Sequence, residues 1–195
     1  MNRPTHLLAS WHAACGLAAW ALAPSSLAAP SLAARPAPGD GRVLLLRHAR
    51  APGTFDPPGF QLGDCSTQRN LDAEGRAQAR RLGEWCRQRS LVVDSVRSSP
   101  WCRCMETANL AFGRADPWAD LGSPVNLTAA QRARQLTALR HELAAVTAQG
   151  GLQVWVTHMF VQDALTGQST ASGEGLLIQH TAADQVSVLE TWTFA

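Results

Sequence analysis

Two arginines, two histidines and a serine pair stand at spacings that could build one anion site. Arg47-His48 ends the apolar run Val43-Leu44-Leu45-Leu46, Ser98-Ser99-Pro100 is followed by Arg103, and Thr157-His158 ends the run from Leu152 to Val156. Arg offers a planar fork of donors that fits a phosphate, and His can act as a nucleophile or base near neutral pH and accept a phosphoryl group. Taken singly, each has an ordinary reading: a surface charge, a buried hydrogen-bonded histidine, a helix-start cation or a helix cap. Jointly they stand at three matching positions. Four groups that are cationic or can become so would repel one another in an empty pocket, and an anion between them removes the conflict.

The positions match because each follows a predicted strand. Apolar runs bounded by Gly and Pro predict strands at 43–46, 91–96 and 152–157, with strand-like runs at 175–179 and 185–194 closing the chain as a hairpin or edge pair. Helical spacing of Leu71, Gly75, Ala79, Leu82 and Cys86 predicts a helix opened by Asn70 or Asp72 and closed near Ser90. Further helices are expected at 101–112, from a cap at Asn126 or Thr128 to 149, and at 160–165. Strands alternating with helices specify an α/β fold, a three-layer sandwich with a mostly parallel sheet flanked by helices on both faces. In such a sheet the carboxyl ends of the strands share one rim, where ligands bind. The loop from Pro52 to Gln68 and the segment from Arg114 to Asn126 should roof that pocket, and neither carries a readable preference for a substrate.

The same residues resemble the histidine phosphatase superfamily, the phosphoglycerate mutase-like fold. Its Arg-His-Gly motif is matched by Arg47-His48-Ala49. Its Ser-Ser-Pro, Arg and Glu-Thr-Ala signature is matched by Ser98, Ser99, Pro100, Arg103, Glu106, Thr107 and Ala108, and its second histidine by Val156-Thr157-His158. The run from Asn70-Leu71 to Gly75 is similar to the family's helix opening, and the resemblance spans about residues 41–167. It implies a phosphomonoester hydrolase in which His48 is the nucleophile and Arg47, Arg103 and His158 bind phosphate, with no cofactor and no metal. Within the superfamily the chain looks most like the small exported phosphatases, including heptose phosphatases of the lipopolysaccharide core, which implies a phosphorylated envelope sugar as substrate. Two departures stand out. Ala49 replaces the usual Gly, which an ordinary negative φ would tolerate. The general acid is not apparent, since Met159 stands where one branch has an Asp directly after its second histidine. Asp120 is the best candidate. Glu106 reads better as a helix-face ion-pair partner, and Asp163 as solvent-facing. A non-catalytic phosphate-ligand binding module on the same fold is the alternative.

The amino-terminal segment reads differently. Residues 7–23 are almost wholly apolar or small, too short to span a membrane, and small-x-small sites follow at Ser26-Leu27-Ala28 and Ser31-Leu32-Ala33. Residues 1–28 are therefore read as a signal peptide, with cleavage after Ala28 or as late as Ala34, and 29–41 as a flexible Ala/Pro-rich lead-in to a domain over 42–195. Export to the periplasm or medium follows, with no stable membrane span once the signal is removed. All 17 basic residues are Arg, none forms a basic run, and the net charge is only +2, so nucleic acid is a poor partner. The expected partner is a small phosphorylated substrate. Four cysteines lie in the mature part. Cys65 is expected to be oxidised to Cys102 or Cys104, leaving Cys86 as a buried free thiol, and Cys102-Arg103-Cys104 lacks zinc spacing.

Overall fold

The computed structural model describes residue 1 and residues 35–181 and 185–194. The expected signal segment, with its cleavage points up to Ala34, lies outside the described residues. Strand β1 (Arg42–Arg47) leads through a long loop to α1 (Ala73–Gln88), then β2 (Ser95–Ser98), α2 (Cys102–Phe112) and the short β3 (Asp116–Pro117). Helix α3 (Ala129–Gln149), β4 (Leu152–Thr157), α4 (Met159–Thr166), β5 (Gly175–His180) and β6 (Val186–Trp192) complete the chain. The six strands form one sheet in the order β3-β2-β4-β1-β5-β6. Strands β3, β2, β4 and β1 run parallel, while β5 and β6 form an antiparallel pair set against β1.

Alternation along the central strands feeds two cores. Leu44 and Leu46 of β1, with Val154 and Val156 of β4, face Leu82, Cys86, Cys104 and Ala108 of α1 and α2. Val43, Leu45 and Trp155 face the other way, onto Leu139, Leu143 and Val146 of α3 and Val161 and Leu165 of α4. A strand buried on both faces must be apolar at every position, which is why β1 and β4 read as continuous apolar runs. The helices start where capping chemistry allows. The Asp72 carboxylate accepts from the Gly75 amide at 2.7 Å, and Thr128 with Gln131 forms a reciprocal capping box.

Parallel register brings the functional strand ends into line. Arg47 lies opposite Thr157 and Ser98 opposite Val156, so His48, Ser99 and His158 leave the sheet side by side. The amides of His48 and Ser99 still donate to the carbonyls of Thr157 and Val156, at 3.0 and 2.9 Å. Glycine is needed once to hold the loop after β1 against α1: a Cβ on Gly75 would lie 1.9 Å from the Arg50 carbonyl oxygen.

Three local expectations change. The second strand is Ser95–Ser98 rather than 91–96. Leu91 and Val93 pack on the core from irregular backbone, and Asp94 takes the Leu152 amide on its carboxylate at 2.9 Å. The connection before α3 holds β3 and a 3-10 turn at Ala119–Leu121. From residue 35 the lead-in is tied down: Arg35 pairs with Asp94 at 2.9 Å, Pro36 accepts from Gly151 at 2.8 Å, and Gly39 donates to Thr147 at 3.0 Å. No helix among the described residues is long and apolar enough to cross a membrane.

Candidate active site

A cavity of about 690 Å3 opens over the carboxyl ends of β1, β2 and β4. Its floor brings together Arg47, His48, Arg103 and His158, and adds Arg69 and Asp56, which sequence reasoning missed. Asp120 stays apart. It is not among the lining residues; its carboxylate accepts the Trp118 indole N–H at 3.0 Å. The 3-10 turn that carries it buries Leu121, whose carbonyl accepts from the Thr157 hydroxyl at 2.6 Å, and Trp118 lies edge-on to Trp155 on the α3 side of the sheet. Glu106 pairs with Arg76 at 2.6 Å, and Asp163 is exposed, both as expected.

Hydrogen bonds fix the state of His48. Its Nδ1 lies 2.8 Å from the Ala49 carbonyl oxygen, which can only accept, so Nδ1 carries the proton and Nε2 presents a lone pair. The Arg103 Nε–H points at that Nε2 from 3.3 Å. Burial, aided by the charges of Arg103, Arg69 and Arg47, pulls the His48 pKa down to about 3 against the bond to Ala49. The imidazole is therefore neutral throughout the physiological range. Ala49 has no positive φ, and its amide donates to the Thr107 hydroxyl at 3.0 Å, which itself donates to the Arg103 carbonyl at 2.6 Å. Thr107 of the Glu-Thr-Ala motif thus fastens the loop carrying His48 to α2.

His158 is held on two sides. The Arg103 Nη2–H donates toward Nδ1 at 3.4 Å, which leaves Nε2 as the donor to the Ser99 hydroxyl at 2.9 Å. Burial first, then the neighbouring His48 and arginines, sets its pKa well below the ordinary value. The two imidazoles sit 5.5 Å apart, edge to face.

Arg103 is the hub. Its Nη1 donates to Asp56 at 2.8 Å in a buried ion pair, while Nε and Nη2 face the histidines. Asp56 also accepts from the Arg69 amide at 2.9 Å and the Trp101 indole at 3.1 Å. Burial pushes its carboxyl up, but these bonds and the Arg103 charge outweigh burial and hold it below the usual carboxylate range. Arg47 Nη1 donates to the Thr170 carbonyl at 2.8 Å, and Arg69 Nη1 to the carbonyls of Ala51 and Gly53. The buried Nε of both Arg47 and Arg69 has no hydrogen-bond partner among the described residues. Two unsatisfied guanidinium donors in one buried floor are what an anion would satisfy. Three guanidiniums against one carboxylate leave two positive charges in excess, the complement of a phosphomonoester dianion. Among the described residues no three His, Cys, Asp or Glu side chains gather as a metal site would need.

A disulfide joins Cys65 of the roof loop to Cys102, the neighbour of Arg103, while Cys86 and Cys104 are buried free thiols. Nothing in sequence singled out Asp56, which lies in an irregular Pro-rich loop. Arg69 stands directly before the Asn70-Leu71 helix opening, a position that could have drawn notice.

The model of the histidine phosphatase superfamily (branch 1) matches residues 43–121. Similar solved structures include the protein histidine phosphatase SixA complexed with tungstate, at 16% identity and TM-score 0.52, covering 78% of this chain and 96% of that one. The alpha-ribazole phosphatase from Shigella flexneri is 15% identical with TM-score 0.56, over 79% and 97% of the two chains. Phosphoserine phosphatase from Entamoeba histolytica, in complex with phosphoserine, is 12% identical with TM-score 0.56, over 77% and 95%. No curated protein matches the chain in sequence. The family model thus covers the segment that carries His48 and Arg103, and the solved phosphatases share the fold over more than three quarters of this chain.

Proposed function

We propose that this chain hydrolyses phosphomonoesters through a phosphohistidine on His48. The observation that carries the reading is the buried floor: His48 Nε2 presents a lone pair, and Arg47, Arg69 and Arg103 surround it with guanidinium donors, two of them incompletely satisfied. In the first step the Nε2 lone pair attacks phosphorus in line while the bond to the leaving oxygen breaks. The Nδ1–H bond to the Ala49 carbonyl stabilises the imidazolium that forms, and the guanidiniums hold the nonbridging oxygens as charge redistributes. His158 lies beside them, its Nε2–H held by Ser99 and its Nδ1 accepting from Arg103, and so keeps that guanidinium aligned. Water then attacks the phosphohistidine, releasing phosphate and restoring neutral His48. The cationic side chains supply the charge stabilisation that a divalent ion provides elsewhere, so turnover should need no metal. Tungstate in the SixA structure, an oxyanion, is consistent with such a floor.

Export belongs to the same proposal. It rests on the amino-terminal sequence and on the Cys65–Cys102 disulfide, which persists in oxidising compartments. The test is turnover of para-nitrophenyl phosphate by the mature protein with a chelator present. His48→Ala should lower kcat at least ~1,000-fold, the scale expected when a covalent nucleophile is removed. Full activity in His48→Ala, or activity abolished by the chelator, contradicts the mechanism.

A further inference from the structure

Above the charged floor the same cavity changes character. Phe55, Leu62, Val125 and Phe160 line its mouth at 65%, 44%, 44% and 40% exposure. They are four of the seven large apolar side chains that the described residues leave exposed, so the exposed apolar surface is concentrated at this opening. Trp101 joins mouth to floor: its ring lies 5.9 Å from Phe60 and 5.2 Å from His158. Beyond the floor, no lining side chain among the described residues carries a charge. A sugar offers hydroxyls to this opening, and a phosphorylated amino acid offers charges. The charges find no partner that would compensate their desolvation, and the hydroxyls meet only the neutral Thr54, Ser123, Asn126 and Ser172 beside the apolar side chains.

A second observation concerns the leaving group. Asp56 is the only carboxylate among the described lining residues, and its oxygens are taken by Arg103, the Arg69 amide and the Trp101 indole. A carboxylate so bonded stays ionised and has no proton to give. His158 offers no acid either, since its one ring proton is held by Ser99 and burial disfavours a second, so the leaving oxygen departs as an anion and takes its proton from water. A phenol, with a pKa of about 10, does so far more readily than an aliphatic alcohol, which is about as weak an acid as water.

Resting on the phosphatase reading, we propose that the preferred substrates are small aryl phosphates, monoesters of a phenolic leaving group that sits among Phe55, Phe60, Trp101 and Phe160. The N–P bond forms at His48 Nε2 as the P–O bond breaks, and the electron pair leaves on the phenolate. Water then cleaves the phosphohistidine, and the proton released with phosphate neutralises the phenolate, so atoms and charge balance. The class differs from the phosphorylated sugar implied by the sequence resemblance.

The experiment is a kcat/KM series on substituted phenyl phosphates, 2-naphthyl phosphate, glycerol phosphate and a hexose phosphate, with phosphoenzyme trapped for each. The expected result is a steep fall of rate with leaving-group pKa and a naphthyl ester at least ~10-fold better than phenyl, whose leaving group is of similar acidity. The double variant Phe55→Ala, Phe160→Ala should narrow that naphthyl-to-phenyl ratio about tenfold. A shallow dependence on leaving-group pKa, equal rates on naphthyl and phenyl, or a hexose phosphate turned over as well as phenyl phosphate, each with phosphoenzyme formed, overturns this inference and leaves the phosphatase reading standing. Phosphoenzyme from none of the esters overturns the phosphatase reading itself.

Discussion

The floor and the mouth of the cavity are built by different means. The floor stands on three parallel strands held in register, and each of its side chains is fixed by at least one further bond: His48 by Ala49, His158 by Ser99, Arg47 by Thr170, Arg103 by Asp56. The mouth is made of loops at 53–62 and 123–127 with the first turn of α4, and it exposes apolar groups that contribute little to the fold. A preorganised buried floor suits a fixed chemical step, since donors already in place need no reorganisation. An exposed apolar mouth suits the choice of what is brought to that step. Chemistry and specificity are thus separable, and changes in each region should have different signatures.

The sharpest way to separate them is Arg103→Ala. It removes the guanidinium that faces both imidazoles and should lower kcat/KM about 100- to 1,000-fold for every ester alike. An effect confined to aryl esters would show that Arg103 serves the mouth and would break the distinction. Next in size is the disulfide, the covalent link between the two regions. Cys65 and Cys102 are 37 residues apart, and reduction should cost about 3–4 kcal/mol of stability in the chain-entropy model, read by denaturant titration with and without reductant. Inhibition by inorganic phosphate should weaken in the same sample, because Gln68 and Arg69 follow Cys65 and bond the start of α2 and the floor. Two free thiols in the denatured, unreduced protein are expected, and four would remove the link.

A smaller effect is expected of Gly75→Ala. The Cβ would collide with the Arg50 backbone and should destabilise by roughly 1–3 kcal/mol, moving the loop that follows His48 and so affecting the floor before the mouth. The smallest expected effect is a pH trend. Because the folded His48 pKa is depressed, the unfolded chain binds the extra proton first as pH falls. Its stabilising contribution is complete above about 6.5 and declines as pH drops toward about 3. Denaturation midpoints should therefore fall between pH 6.5 and 4, and less steeply in His48→Gln. Equal slopes in both proteins would show that the histidine is not buried neutral.

The same division explains what the amino-acid sequence declares. Val43 to Leu46 and Leu152 to Val156 announce doubly buried strands, and Arg47-His48 and Thr157-His158 follow at their ends, because apolar periodicity and strand termini are local properties. The Ser-Ser-Pro run and Arg103 are likewise local to one strand–helix turn. Asp56 and Arg69 are not, for their positions arise only when the Pro-rich loop folds back on α2 and Asp56 meets Arg103 across 47 residues. Asp120 misleads for the converse reason: an acid in the expected interval is turned to Trp118 by a 3-10 turn that no periodicity marks. At the mouth, Phe55 and Phe160 are single apolar residues in a loop and a short helix, and only the fold reveals that they face one opening.

The most direct test of the central claim is rapid-quench trapping of the enzyme with phenyl phosphate carrying a labelled phosphoryl group, followed by peptide mapping. A label that is stable to alkali, labile to acid, formed faster than or as fast as turnover, and located on the peptide bearing His48 is the predicted result. Steady turnover with no such label, or a label that persists in His48→Ala, would contradict it.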